Sequence, residues 1–373
     1  MYDRLTTGHP VSLEKVEELR DELPDLFSVV DTTLDKPTPG QVRFRGYFLQ
    51  DPADCFDDLT RRFERHGFTP TIRHDGDLIA LIGLPVVFQD TPSNWIINLI
   101  LFIVTVLSTL WVGASYSAET QQEALQIWRG WPFSLSLLLI LGAHELGHYF
   151  AARYHNVPVT LPYFIPLPFV SFIGTMGAFI RLKGPVKNRR ALLDVGVAGP
   201  LAGLVFALPI LWYGLSTSEV APLPPGGYIL EGNSILYAVM KVGVFGRFLP
   251  DGNMDVQLND IAWAGWVGLL VTGLNLIPLG QLDGGHTVYV LLGKRAKQLF
   301  WPILIALLGL ALLTGATTWL VWIVLLYFLG RNYAEPLDDV TRLDPRRRAI
   351  AIFTLLIFIL VFVPIPLQVI PPG

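Results

Sequence analysis

The sequence predicts a polytopic α-helical membrane protein of about six to seven spans, with a membrane-associated β-strand region and a small N-terminal α+β soluble domain. Three observations predict it. Hydrophobic residues make up 52% of the chain and charged ones only 16%, where a soluble globular chain carries about 25% charged. From residue 95 onward, apolar runs alternate with short polar connections, the hydropathy signature of successive spans. The first ninety residues are patterned instead like ordinary soluble structure.

In that first part, residues 13–26 carry charged and apolar residues at helical spacing, Lys36-Pro37-Thr38-Pro39-Gly40 breaks the pattern, and 42–49 alternates with β-type residues. Residues 54–66 read as an amphipathic helix with Phe56, Leu59 and Phe63 on one face, and 69–73 and 78–84 as a hairpin around Asp75-Gly76. The expectation is an α+β domain over 1–90. Its His9, His66 and His74 read as solvated surface. No basic n-region followed by a short apolar core opens the chain, so this domain is expected to stay on the side where it is made.

The spans are expected at 95–112, 132–154, 193–215, 261–279, 299–313, 317–329 and 349–363. The fifth and sixth fall short of the ~20 residues a straight span needs. Either they form a tight helical hairpin around Thr314-Gly315-Ala316 or they cross only by distorting the bilayer. Arg153, Arg181, Lys183, Lys187, Arg189 and Arg190 crowd one connection, Lys294, Arg295 and Lys297 a second, and Arg331, Arg342 and Arg346 to Arg348 a third. With seven spans all three share the side of the N-terminal domain, which the positive-inside rule makes cytoplasmic. Segment 216–260, on the opposite side, is poor in basic residues and reads as loop.

His144-Glu145-Leu146-Gly147-His148 lies within the apolar stretch 131–152. In a helix the two histidines sit four apart on one face and can grip one metal ion, with Glu145 able to reach a metal-bound water. H-E-x-x-H also arises by chance, and a lone histidine on an apolar face is more often a core residue than a ligand. Inside a span, however, an ionisable group costs roughly 2.5–3.5 kcal/mol on the insertion scale and tends to be functional. Cys55 is the sole cysteine, so a disulfide framework and a cysteine-ligated metal are both excluded, and a tetrahedral site must draw on His, Asp or Glu. The net charge of −4 gives no reason to expect a nucleic-acid partner.

A third ligand is expected near Asn275-Leu276-Ile277-Pro278-Leu279-Gly280-Gln281-Leu282-Asp283-Gly284-Gly285-His286. Pro278 and Gly280 break the fourth span, and irregular backbone at membrane depth is tolerated only where it is buried in protein or lines a cavity. Asp283 is thereby placed where its carboxylate could turn toward a metal, although an isolated Asp-Gly-Gly is more often just a turn.

These paired motifs resemble those of the site-2 protease family of intramembrane zinc metalloproteases, H-E-x-x-H in one span and N-x-x-P-x-x-x-x-D-G in a later one. The chain matches both, with His144, Glu145 and His148, then Asn275, Pro278, Asp283 and Gly284. Pro162-Tyr163-Phe164-Ile165-Pro166, Gly174-Thr175-Met176-Gly177-Ala178 and Ala198-Gly199-Pro200-Leu201-Ala202-Gly203 agree as well. The resemblance covers about 95–293. It implies a metalloprotease core at 91–293 with additional transmembrane helices at 294–373. It implies one Zn²⁺ per chain held by His144, His148 and Asp283, with Glu145 as general base and His286 outside the ligand set. Asn275 would donate to substrate backbone or to the tetrahedral oxyanion. The implied substrate is a single-span membrane protein such as a membrane-bound transcription regulator or anti-sigma factor. With no transit peptide ahead of the N-terminal domain, the expected location is a bacterial inner membrane with the active site toward the cytoplasm, and a processed organelle form is the alternative.

Residues 172–182 read as a β-strand entered through Gly174 and Gly177. A transmembrane helix hides its peptide bonds, so a protease must unwind it, and a strand edge can hold the extended backbone by β-addition. Gly174, Thr175, Gly177, Ala178 and Pro278 are the expected substrate contacts. Segment 216–260 is too short for the PDZ domain of many bacterial relatives, and the N-terminal domain makes the arrangement similar to that of cyanobacterial and plastid members. Two other classes share some features. A transporter would show inverted repeats, which this sequence lacks; an inactive scaffold that binds membrane proteins would be expected to have lost one of the four key residues.

Overall fold

The computed structural model describes residues 9–88, 92–116, 118, 120–224 and 226–370. The soluble domain is therefore described from residue 9, and Pro225 of segment 216–260 lies outside the described residues. In the domain, α1 (Leu13–Asp21) and α2 (Pro52–Arg65) cover one face of an antiparallel sheet. Its strands are β1 (Phe27–Leu34), β2 (Val42–Phe48), β3 (Thr69–Asp75) and β4 (Leu78–Leu84), in the order β1-β2-β4-β3. Ser12 caps α1 and Asp51 caps α2, each side chain accepting from a first-turn backbone N–H. Cys55, Phe56, Leu59 and Phe63 of α2 are buried at helical spacing, as the sequence pattern requires.

Three details differ from expectation. Helix α1 stops at Asp21 rather than running to 26, because Pro24 has no N–H to continue it. Strand β1 pairs with β2 along its length; its β-branched run Val29, Val30, Thr32, Thr33 was the available signal. His66 is not free surface, since its two ring nitrogens lie 3.0 Å from Glu18 and 3.1 Å from Glu22, tying α2 to α1.

The membrane part begins with α3 (Trp95–Tyr116) and, after α4 (Gln121–Ala124) and a 3-10 turn (Ile127–Gly130), continues with α5 (Trp131–Tyr154). A two-stranded sheet follows, β5 (Tyr163–Pro166) with β6 (Thr175–Phe179), and then α6 (Arg189–Ser216). Segment 216–260, expected as loop, folds instead into β7 (Glu219–Pro222), β8 (Tyr228–Glu231), α7 (Ile235–Phe245) and β9 (Met254–Gln257), with β7 paired to β9. The buried helix α8 (Asp260–Asn275) packs on α5 and α6. It is followed by α9 (Asp283–Leu292), a 3-10 turn (Gly293–Leu299), α10 (Phe300–Thr314), α11 (Thr318–Leu329), α12 (Pro345–Val361) and β10 (Leu367–Ile370), which pairs with β8.

The helices do not confirm a count of six to seven spans. Among the described residues four helical runs are long and apolar enough to cross a membrane, namely Trp95–Tyr116, Ile127–Tyr154, Arg189–Ser216 and Asp283–Thr314. The expected fourth span ends at Asn275 and leaves a 16-residue helix, about 24 Å long against a hydrocarbon core of about 30 Å. The expected fifth begins sixteen residues into a run that already starts at Asp283. Helices α10 and α11 pack on each other as a hairpin, turning at Gly315 with φ of 69°.

The N-terminal α+β domain is joined to the helical part by the segment between α11 and α12. Leu337 sits in the soluble core. The Ile72 N–H donates to the Leu337 carbonyl at 2.8 Å and the Asp339 N–H to the Ile72 carbonyl at 3.2 Å, so this segment extends the sheet beyond β3. Its other side holds the membrane part: the Asp338 N–H donates to the Lys187 carbonyl at 2.8 Å, and Arg189 donates to Asp339 at 2.8 Å. Lys187 also pairs with Asp57 at 2.5 Å.

Candidate metal centre

Helix α5 carries His144, Glu145 and His148, all buried. His148 and His144 can sit there because α6 opposes them with Gly199 and Gly203, and Gly196 on the same helical face meets His286 of the later helix. A Cβ at Gly199 would overlap the His148 imidazole, one at Gly203 would touch His144 at 3.3 Å, and one at Gly196 would press on His286 at 3.0 Å. The approach is mutual, since a Cβ at Gly147 would lie 2.5 Å from the Ala198 carbonyl.

The third group arrives from the break between α8 and α9. Helix α8 ends at Asn275, Pro278 lacks the N–H to prolong it, and Gly280 turns with φ of 58° against Gly330. Asp283 then opens α9, where the helix N-terminus favours a carboxylate. The break brings Asn275 and Asp283 to the histidines.

The His144 and His148 Nε2 atoms are 3.1 Å apart, and each lies 3.3 Å from Asp283 Oδ2. His148 Nδ1 is 2.7 Å from the Val195 carbonyl. A carbonyl only accepts, so Nδ1 carries the proton, and in the neutral form of His148 the lone pair of Nε2 is turned toward the other two donors. The distances test the fit of a metal directly. Bonds of 2.0–2.1 Å in a tetrahedral zinc site separate neighbouring donors by about 3.3 Å, and His144, His148 and Asp283 are the group among the described residues whose donor atoms converge to hold an ion. Three donors leave a tetrahedral position open, as a catalytic site requires.

Asn275 Nδ2 lies 3.3 Å from His144 Nε2. His144, Glu145, Ala178 and Asn275 line both a 210 Å³ cavity that includes His148 and Asp283 and a 360 Å³ groove walled by β6, α8, Trp322 and Leu367. His286, in α9 rather than a loop, lines the first cavity.

The expected strand over 172–182 is shorter in the structure, Thr175–Phe179, because Gly174 turns with φ of 75° and the chain leaves regular pairing after Phe179. Thr175, Gly177 and Ala178 line the groove. Nothing stands within 4 Å of where a Gly177 Cβ would be. Gly174 instead packs on α3, its carbonyl accepting from Ser108 at 2.5 Å, and Pro278 lines neither cavity. Sequence reasoning missed the Val195 carbonyl and the packing role of Gly196, Gly199 and Gly203; the spacing of those glycines was the signal for the latter.

Fold and site together define a protein with helices apolar and long enough to cross a membrane and, between them, a buried group of three donors that could hold a metal ion. Residues 132–314 match the model of Peptidase family M50, and this core belongs to that family. The chain is 29% identical over 364 residues to Probable zinc metalloprotease EGY2, chloroplastic, of Arabidopsis thaliana, covering 91% of this chain and 63% of the relative. It is 27% identical over 357 residues to the protein of the same name in Oryza sativa subsp. indica, covering 91% and 64%. With Probable zinc metalloprotease EGY1, chloroplastic, of Arabidopsis thaliana it shares 29% over 242 residues, covering 63% and 43%. The chain thus spans less than two thirds of the length of these curated relatives. No solved structure matches it significantly.

Proposed function

We propose that this chain is an intramembrane zinc metalloprotease that hydrolyses peptide bonds in or near the transmembrane segments of membrane-anchored proteins. The observation that carries this reading is the convergence of His144, His148 and Asp283 within 3.3 Å of one another, beside Glu145 and at the end of a groove lined by a strand. Zinc bound there would act as a Lewis acid on the scissile carbonyl and bring the pKa of water to about 7.

The protein's own groups do the rest. Glu145 is the buried carboxylate placed to take the proton from attacking water and return it to the leaving amine. Asn275 offers its Nδ2 as donor to the developing oxyanion. The edge of β6 not paired to β5 holds the unwound substrate in extended form, with Gly177 leaving room for its backbone. The groove also meets a 660 Å³ cavity, with Phe172 and Leu367 lining both, giving an extended segment a continuous path.

The substrate we propose is a single-span protein, a membrane-bound transcription regulator or anti-sigma factor among the candidates. The soluble domain and metal site lie on the cytoplasmic side of a bacterial inner membrane in this reading, supported by the basic connections that contact that domain. The test is reconstitution with a single-span substrate and mass spectrometry of the products. Cleavage inside the apolar segment supports the reading; cleavage confined to soluble flanks, or cleavage that persists in Glu145→Gln, rejects it.

A further inference from the structure

A 500 Å³ crevice lies along the seam between the soluble domain and the membrane part. Lys36, Arg43, Arg73 and His74 line it from the domain, and Lys294 and Lys297 from the 3-10 turn after α9. Among the described residues two carboxylates line it with them, Asp75 and Glu335. Both are already engaged, Asp75 by Arg45 at 2.9 Å and Glu335 by Lys297 at 2.6 Å.

Five lysines and arginines thus face two occupied acids. Lys36 and Lys294 are exposed and pair with no carboxylate among the described residues. Arg43 reaches Asp75 only at 3.7 Å and holds a buried Nε without a partner. Arg73 is anchored, its Nη1 donating to the carbonyls of Ile72 at 2.8 Å and Leu337 at 2.7 Å, while Nη2 stands 3.9 Å from Glu335. A fixed guanidinium with spare donors suits planar, multidentate recognition of phosphate. An excess of about three positive charges is more than a single carboxylate would balance. The volume is that of a small-molecule site.

We propose that this crevice binds a phosphate-bearing anion, either a soluble polyphosphate such as a nucleotide or the headgroup of an anionic phospholipid. The ligand would bridge two parts of the chain. One wall belongs to β2 and β3; the other follows directly on α9, whose first residue is Asp283. Binding is independent of whether the metal centre cleaves peptides.

The test uses the full chain in neutral-lipid nanodiscs at fixed ionic strength, since such binding is screened by salt. One arm titrates ATP and inorganic pyrophosphate; the other compares nanodiscs with and without phosphatidylglycerol by native mass spectrometry. Saturable binding in one arm, weakened at least tenfold by Lys36→Glu with Lys294→Glu and less by the Gln pair, supports the proposal and identifies the source. Both lysines are exposed, so thermal unfolding should not change. Absence of binding in both arms, or equal affinity in the double Glu variant, overturns it.

Discussion

The Cα of Gly199 faces the imidazole of His148 so closely that even a methyl group there would overlap the ring. The Val195 carbonyl, one turn earlier on the same helix, fixes the ring's other nitrogen at 2.7 Å. Helix α6 therefore sets the position of a ligand carried by α5, although it donates none itself. A metal ligand's remaining ring nitrogen commonly bonds a carbonyl or carboxylate that orients it; here the orienting group comes with a steric wall.

Gly199→Ala should therefore act as a metal-site variant. Overpacking in a close contact costs about 1–3 kcal/mol, and the ring can move only by leaving its carbonyl. We expect the chain to fold while its zinc affinity falls at least tenfold, read by metal content after dialysis. Unchanged metal content would mean that α6 yields easily.

Asn275→Ala should separate chemistry from binding. The side chain is 3.3 Å from His144 Nε2 but is not among the three converging donors. If it serves the oxyanion, metal content stays near wild type and kcat falls about 100-fold, the usual effect of removing such a donor. A loss of zinc in this variant would assign it to holding His144 instead.

The strand β6 lends itself to a backbone test. Ala178 pairs with Phe164 of β5 and lines the groove. Ala178→Pro removes an N–H and resists strand geometry, so cleavage should be lost with zinc retained. Gly177→Val fills space that is empty in the structure and adds a branched side chain at φ of 102°, and should block cleavage in the same way. Full turnover in both variants would remove β6 from substrate binding.

At the start of α12, Asp344 caps the helix by accepting from the Arg347 N–H at 3.0 Å and pairs with its guanidinium at 2.7 Å. The Arg347 guanidinium and then its backbone N–H hold the Asp344 carboxyl down at about 2, below its ordinary 3.8. A depressed carboxylate contributes stability that is fully present above its unfolded pKa and is lost as pH falls through its folded one. The difference in thermal stability between wild type and Asp344→Asn should be constant above about pH 4 and vanish toward pH 2. A difference that grows on acidification would contradict this.

The site was legible because its chemistry is local. His144, Glu145 and His148 share one helical turn, and Asp283 announces itself through Pro278 and Gly280, which break the preceding helix. Other features depend on contacts between distant segments. Nothing around Leu337 and Asp339 signals that they extend the sheet at β3, since an extended segment finds its partner only in the folded chain. The four-residue strands β7, β8 and β9 are too short for alternation to show. The seven apolar runs were visible, but hydropathy does not say where a helix stops, and α8 is short because its chain turns at Pro278 and Gly280.

In the proposed site His144, His148 and Asp283 hold zinc while Glu145 serves the reaction without holding it. The most direct measurement is zinc content, by elemental analysis of purified full-length protein, for wild type, Glu145→Gln and Asp283→Ala, with cleavage of one single-span substrate assayed on the same samples. About one zinc and cleavage are expected in wild type, zinc without cleavage in Glu145→Gln, and neither in Asp283→Ala. Wild type without zinc, or Asp283→Ala that keeps both its zinc and its activity, would contradict it.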